Sequence, residues 1–142
     1  MVNMSKMFNL KSKFYLFLIL VLITHQASAS VFYPKDYEES RNEFRKVAKS
    51  LLLTYPKLVH SYFRVISKID TDLTTDYIYI PAGVETKKLL IISSGVHGVE
   101  TFTSSAIQQL FLNEILPNIK LDKMGFLIIH SLNPYGFKYK RR

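Results

Sequence analysis

The residues best suited to chemistry in this sequence are a histidine and a glutamate three positions apart, in the stretch "SSGVHGVE". His97 and Glu100 are of the residue types that, with a further ligand and water, form many catalytic zinc sites. In a turn that opens a helix, both side chains can reach one ion at roughly 2.0–2.2 Å. Gly95 and Gly98 favour such a turn, because glycine adopts backbone angles that other residues avoid. The pattern alone also fits a solvated histidine and a glutamate near a helix N-terminus.

The other histidines are weaker candidates for metal binding. The chain has no cysteine, so a metal could be held only by histidine, aspartate or glutamate. His25 lies in the apolar N-terminal stretch, and we expect His60, at the start of an edge strand, to be exposed. His130 ends an apolar strand, and we expect it to be buried and bonded to a neighbouring carbonyl. No G-x-S-x-G sequence surrounds the serines, which argues against a serine nucleophile.

The elements that must position these residues follow a strand, helix, strand order. Residues 89–92 and 126–130 are apolar runs typical of strands covered on both faces. Between them, Thr103 or Ser104 can cap a helix that ends near Pro117. This order predicts a right-handed crossover between parallel strands, at whose carboxyl ends ligands gather. The predicted core side of the helix consists of Ala106, Ile107, Leu110, Phe111 and Ile115.

Three more elements precede this unit. Apolar residues recur at spacings of three and four within residues 37–55, which predicts an amphipathic helix ended by Pro56. Residues 61–69 and 76–81 alternate apolar and polar side chains, which predicts a hairpin at one edge of a sheet. The predicted fold class is therefore α/β, with a mixed, mostly parallel sheet, an antiparallel edge hairpin and flanking helices.

The first 29 residues are typical of a secretory signal peptide. Lys6, Lys11 and Lys13 precede an apolar run over residues 14–24, and the small residues "ASA" end at Ala29. Because the run is shorter than the ~20 residues of a spanning helix, we expect cleavage near Ala29 and export to the periplasm or the extracellular space. Contact with a membrane is then expected only through this leader. The alternative is an uncleaved anchor or a lipid-facing helix.

The net charge of +8 does not indicate a nucleic-acid partner. The leader contributes three lysines and no acid, and four further positive charges lie in the closing "KYKRR". The rest of the domain is therefore nearly neutral, without the basic surface that nucleic acid requires.

Two separated segments, "SSGVHGVETFTSSAIQQL" and "HSLNPYGFKYKRR", resemble the zinc carboxypeptidase superfamily. The closest likeness is to a bacterial branch, a domain of unknown function, in which G-x-H-G-x-E-G-F-x-G-S is followed by H-x-L-N-P-Y-G-F and two arginines. The resemblance runs from Asp76 to the end, and more weakly from Tyr33. It implies a secreted zinc-dependent hydrolase of peptide or amide bonds, acting on a peptide or an acylated small molecule.

The resemblance implies roles for the residues that match. His97 and Glu100 would be the first two zinc ligands, and Asn133 would belong to the turn that shapes the substrate site. Arg141 or Arg142 would be catalytic, since a fixed guanidinium polarises the scissile carbonyl and stabilises the charge that develops on its oxygen. Which of the two arginines acts stays open.

The sequence departs from the family pattern in two ways. Thr101 and Ser104 stand where the family has glycines, which changes how tightly the turn packs. The family's third zinc ligand, its general-base glutamate and a substrate-binding Asn-Arg pair all follow the double arginine, where the sequence given stops. We therefore expect residues 30–142 to be the N-terminal part of a carboxypeptidase-like domain, with weak or no zinc binding and little or no hydrolysis.

Two other interpretations stay open. One is a small exported binding or structural protein without catalytic activity, and the other is an incomplete or frame-shifted reading of a longer gene. If the sheet stops at residues 126–130, that strand would expose an apolar edge prone to aggregation, and the isolated chain would be marginally stable.

Overall fold

A mixed sheet with helices packed on one face organises the structure. The computed structural model describes residues 32–141, so the predicted leader and Arg142 lie outside the described residues. The spatial order of the strands is β1-β2-β4-β3. The strands are β1 (Val59–Arg64), β2 (Thr74–Ile80), β3 (Lys88–Ser93) and β4 (Met124–His130). The predicted α/β class, the mixed sheet and the antiparallel edge hairpin β1-β2 are confirmed.

The sheet contains less parallel pairing than the sequence predicted. Among the described strands, β2 pairs with both β1 and β4 in antiparallel fashion, and only β3 pairs with β4 in parallel. That one parallel pair is the predicted crossover unit, and it places the carboxyl ends of β3 and β4 side by side.

The first helix begins at a clear sequence signal, and a short third helix was not predicted. Asp36 caps the first helix, because its Oδ1 accepts the N–H of Glu39 at 2.7 Å. That helix ends at Leu51, before the predicted stop at Pro56. The helical elements are α1 (Tyr37–Leu51), α2 (Thr101–Leu110), a π-helical turn (Phe111–Ile115), a 3₁₀ turn (Leu116–Asn118) and α3 (Pro134–Tyr139).

The hydrophobic core lies between one face of the sheet and the two longer helices. Side chains alternate between buried and partly exposed along β2, as expected for a sheet with one covered face. Burying each large apolar side chain here stabilises the fold by about 1.5–3 kcal/mol. The core residues include Phe44, Val47, Ala48 and Leu51 of α1, Ile78 and Ile80 of β2, Leu112 and Leu116 after α2, and Phe126 and Ile128 of β4.

The positions of the two apolar strands in the sheet differ from those predicted. β4 lies in the interior of the sheet with a neighbour on each side, whereas the prediction made it the exposed edge. β3 lies at one edge of the described sheet. Its Leu89, Leu90 and Ile91 are 46%, 41% and 56% exposed instead of covered on both faces. A continuous apolar run predicts a strand, but it does not distinguish a central strand from an edge strand.

Helix α2 also differs from its prediction. It begins at Thr101, with Glu100 in the capping position and no side-chain cap, so neither Thr103 nor Ser104 starts it. Ile107 and Ile115 were predicted to face the core, but they are exposed, and two glutamines of the same helix are buried instead. Part of the reason is that one of them, Gln108, donates its side-chain amide to the carbonyl oxygens of Ile92 in β3 and Ile129 in β4.

The face of the sheet opposite α1 is apolar and open among the described residues. A depression of about 370 Å³ lies there. It is lined by Phe63, Thr75, Tyr77, Leu127, Ile129 and Leu132. Within residues 32–141, no helix has both the length and the apolar character needed to cross a membrane.

We expect Ile91→Lys to reduce aggregation of the chain without unfolding it. Ile91 lies on the edge strand and is 56% exposed, so a lysine there replaces apolar surface with a solvated charge. The measurement is light scattering at rising protein concentration, with the folded state followed by circular dichroism.

The matched control is Ile128→Lys, the same substitution on the interior strand. Ile128 is 0% exposed, so an unpaired charge there should unfold the chain. Equal aggregation of wild type and Ile91→Lys would contradict the assignment of β3 as the exposed edge.

Candidate functional site

The turn that carries His97 and Glu100, the HGVE turn (residues 94–100), connects β3 to α2. Both side chains are exposed, and the carboxylate of Glu100 does not cap the helix that follows. The hydroxyl of Thr101 donates to the carbonyl oxygen of His97 at 2.6 Å, which closes the turn. Thr101, which was expected to change how tightly the turn packs, therefore supports the turn with a hydrogen bond.

A second segment, the NPYG segment (residues 131–141), follows β4 and contains α3. Asn133 caps this helix, because its Oδ1 accepts the N–H of Gly136 at 2.8 Å. Lys140 ends the helix in the left-handed conformation, with φ of 54°. The N–H of Arg141 then donates to the carbonyl oxygen of Gly136 at 2.8 Å, so the chain turns back toward the HGVE turn.

Hydrogen bonds join the two segments along their length. The N–H of Asn133 donates to the carbonyl of Gly95 at 2.7 Å, and the N–H of Gly98 donates to the carbonyl of Arg141 at 3.0 Å. The side-chain amide of Asn133 also donates to the carbonyl of Val96, at 3.4 Å. The two sequence motifs therefore form one structural unit at the carboxyl ends of β3 and β4.

Two glycines of the HGVE turn are required by this close approach. A Cβ atom on Gly98 would lie 2.0 Å from the carbonyl oxygen of Gly136 and 2.3 Å from that of Arg141. Gly95 has φ of +75°, and a Cβ atom there would lie 2.6 Å from the Cα of Ser131. The glycines that the sequence analysis linked to metal geometry thus serve first to let two backbones meet.

The structure brings together four of the five predicted site residues. His97 and Glu100 lie on the turn, and Asn133 and Arg141 lie on the segment bonded to it. Arg141 is exposed and its backbone contacts Gly98, the residue that follows His97. Arg142, the fifth, lies outside the described residues.

A third metal ligand is not found near the pair among residues 32–141. Within that range, no three histidine, cysteine, aspartate or glutamate side chains are grouped to hold a metal ion. His60 and His130 point instead into the interior beneath α1, where each ring packs against that of Phe44. The described residues therefore offer two candidate ligands, His97 and Glu100.

His60 differs from its prediction. Its side chain is 21% exposed instead of fully solvated, and its Nε2 lies 3.5 Å from Oδ1 of the buried Asp76. Besides His60, Asp76 contacts Arg45, whose Nε donates to Oδ1 at 2.6 Å, and the hydroxyl of Thr74, which donates to Oδ2 at 2.6 Å. Burial by itself would raise the pKa of Asp76, but these contacts outweigh it and hold the pKa well below its usual range.

His130 is fully buried, as predicted, but its partners are hydroxyl groups and not a carbonyl. Its Nε2 lies 3.4 Å from the hydroxyl of Ser40, and its Nδ1 lies 3.5 Å from the hydroxyl of Ser94. The ring stacks on Phe44 with centroids 4.9 Å apart. Burial lowers the pKa of His130 to about 4, so the ring is neutral at physiological pH.

Salt bridges fix the far end of the NPYG segment. The ammonium of Lys138 lies 2.8 Å from Glu38 of α1 and 2.7 Å from Asp70 of the loop before β2. The hydroxyl of Tyr139 donates to the same aspartate at 3.1 Å. These hydrogen bonds raise the pKa of Lys138 and lower that of Asp70. Sequence reasoning missed this anchor, because its three parts are far apart in the chain.

The comparisons with known proteins identify a family but no activity. The protein family DUF2817, described as a protein of unknown function, matches residues 33–142 of the chain. No curated protein matches the chain.

We expect Gly98→Ala to separate the HGVE turn from the NPYG segment. The added methyl group would overlap two carbonyl oxygens of the backbone, so the segments must move apart at a cost of about 1–3 kcal/mol or more. The measurement is the free energy of unfolding in urea. The control is Gly83→Ala, where a Cβ atom would meet only one atom, at 3.9 Å. Equal stability of the two variants would contradict the described junction.

We also expect the chain to lose stability as the pH falls from about 6.5 toward 4. An unfolded histidine has a pKa of about 6.5, whereas burial lowers the pKa of His130 to about 4. The unfolded state therefore takes up a proton first as the pH falls, and the free energy of unfolding decreases by an amount on the order of 3 kcal/mol. Asp76, with its lowered pKa, adds a loss in the same direction at still lower pH.

The measurement is the urea midpoint as a function of pH, with His130→Asn as the comparison. Asparagine does not titrate, so the stability of the His130→Asn variant should change less across this range. His60 and His97 are present in both proteins, so they do not cause the difference. Parallel pH profiles for the two proteins would contradict the assignment to His130.

Proposed function

The chain belongs to the DUF2817 family, and we propose that it is related to secreted zinc-dependent hydrolases of peptide or amide bonds, of the carboxypeptidase type. One observation carries the proposal. The two motifs on which the resemblance depends form a single unit, with His97 and Glu100 exposed beside the backbone of Arg141. An exposed carboxylate and imidazole, on a turn bonded to the backbone of an exposed arginine, suit a substrate with a polarised carbonyl.

His97 and Glu100 are the residues that would hold the zinc ion. An imidazole nitrogen and a carboxylate oxygen are both common zinc ligands, and the closed turn limits the positions of the two side chains. Zinc held there would polarise a carbonyl and lower the pKa of a bound water. Two protein ligands alone bind zinc weakly, so tight binding requires a further ligand beyond those that residues 32–141 supply.

Arg141 is the arginine that we propose as the catalytic cation. Its carbonyl oxygen accepts the N–H of Gly98, so its Cα is held close to the HGVE turn. A guanidinium fixed beside the ligands would bind the carbonyl oxygen of a substrate and stabilise the negative charge that develops there during attack. Arg142 stays the alternative for this role.

Asn133 contributes to the substrate site by shaping its floor. Its two side-chain polar atoms are engaged within the protein, one with Gly136 and one with Val96. It therefore holds the HGVE turn and the NPYG segment together beneath the site. The proposed substrates are peptides or acylated small molecules, and export through a leader ending near Ala29 is part of the same proposal.

The proposal also concerns the activity of this chain by itself. Hydrolysis of this type needs a firmly held zinc ion and a general base, and within residues 32–141 no third ligand is grouped with His97 and Glu100. We therefore propose that the chain alone hydrolyses peptide or amide bonds slowly or not at all.

The test is the zinc content and zinc affinity of the purified chain. We expect weak binding of one zinc ion by wild type, and at least a tenfold higher dissociation constant for His97→Ala and for Glu100→Ala, because each substitution removes one of two protein ligands. Isothermal titration and metal analysis after dialysis give the two quantities. The control is Glu114→Ala, which removes an exposed carboxylate elsewhere on the surface.

Two results would contradict the proposal. Zinc binding that is equal in wild type and His97→Ala would remove the HGVE turn from the site. Rapid hydrolysis of a peptide library by the chain alone, abolished by a chelator, would show that a complete catalytic set is present. If wild type binds no zinc, the result supports the alternative interpretation, a binding or structural protein without catalytic activity.

A further inference from the structure

A chain of buried polar side chains lies beneath the HGVE turn and has no part in the proposed chemistry. It runs from α2 to α1, through β4 to the end of β3, and back to α2. All five side chains are at most 2% exposed. In order, they are Ser105, Ser40, His130, Ser94 and Gln108.

The orientation of Gln108 fixes the direction of the hydrogen bonds. Its side-chain nitrogen lies 3.0 Å from the carbonyl oxygen of Ile129 and 3.4 Å from that of Ile92. Carbonyl groups only accept, so the amide nitrogen must face them and Oε1 must face Ser94. Oε1 is also only an acceptor, so the hydroxyl of Ser94 donates to it, at 3.2 Å.

This direction determines the tautomer of His130. Because the single proton of the Ser94 hydroxyl is used by Gln108, Nδ1 of His130 must donate to Ser94 and carry the ring proton. A neutral ring then has an unprotonated Nε2, which accepts from the hydroxyl of Ser40. Ser40 in turn accepts from the hydroxyl of Ser105. The hydrogen bonds therefore run in one direction from Ser105 to Gln108.

Ser94 is the point where this chain meets the site. Its hydroxyl accepts the N–H of Ser131 at 3.4 Å, and its carbonyl oxygen accepts the N–H of Leu132 at 3.0 Å. Ser131 is held in the left-handed conformation, with φ of 60°, which is strained for a residue with a side chain. Ser94 thus fixes the first residues of both the HGVE turn and the NPYG segment.

We infer that His130, held as the neutral Nδ1–H tautomer, is a positioning residue for the zinc-binding turn. It donates to Ser94 and so fixes the start of the turn that carries His97 and Glu100, while it contacts neither side chain. The zinc-affinity part of the inference rests on the proposed function, whereas the tautomer and the anchoring of the two segments do not.

Two variants of His130 separate positioning from simple core packing. The amide nitrogen of asparagine can take the place of Nδ1, so His130→Asn keeps a donor to Ser94 and loses the contact to Ser40. The longer side chain of His130→Gln places its amide near the position of Nε2, so it reaches Ser40 and removes the donor that Nδ1 supplies to Ser94. A residue that only fills the core would give similar losses in both variants.

We expect the zinc dissociation constant to rise about 10–100-fold in His130→Gln, the range typical when the support of a ligand is removed. In His130→Asn it should stay within about threefold of wild type, even though both variants are less stable. Isothermal titration measures the affinity, and urea unfolding measures stability. An equal loss of affinity in the two variants would overturn the inference.

Two measurements do not depend on zinc, and the first of them does not depend on any variant. Nitrogen-15 NMR of wild type should find the proton of His130 on Nδ1. Hydrogen exchange at the amides of Leu132 and Asn133 should be faster in His130→Gln and in Ser94→Ala than in wild type. A proton on Nε2, or unchanged exchange in Ser94→Ala, would overturn the inference. If wild type binds no zinc but both results are as expected, the proposed function fails and the positioning role stands.

Discussion

The parallel pairing of β3 with β4 is the constraint on which the rest of the structure depends. Its register sets Ser93 opposite Ile129, so the chain leaves both strands at the same edge of the sheet. The next residues of each strand then bond to each other, from Ser94 and Gly95 to Leu132 and Asn133. Two motifs more than thirty positions apart become neighbours because a parallel pair aligns the carboxyl ends of its strands.

Local sequence patterns predict the part of this arrangement that lies between β3 and β4. Apolar runs mark β3 and β4, and apolar spacing marks the helix between them, although its predicted cap was wrong. A crossover between parallel strands then brings His97 near Asn133. The same patterns do not reveal neighbours across the sheet. The order β1-β2-β4-β3 depends on β2 pairing with β4 along the register of Ile78 with Ile128, a contact that leaves no periodic signal in either strand.

The buried polar residues are the part of the site that sequence patterns could not predict. Gln108 lies at a polar position of α2, and periodicity predicts an exposed side chain there, with Ile107 in the core. The structure places them the other way round, because Gln108 bonds the carbonyls of Ile92 and Ile129 where the strands end. Buried polar groups are tolerated when each has a partner, and these partners come from segments distant in the chain.

The buried polar chain separates the residues that support the site from the exposed residues that are proposed to act in it. Beneath the turn, Ser94 and His130 are buried and each is tied by hydrogen bonds to other elements. At the surface, His97 and Glu100 are exposed, and the turn that carries them is tied chiefly through its backbone. The backbone of this turn is therefore held by contacts with the protein interior. In the proposed zinc site, the positions of His97 and Glu100 would be set by buried residues that do not touch the ion.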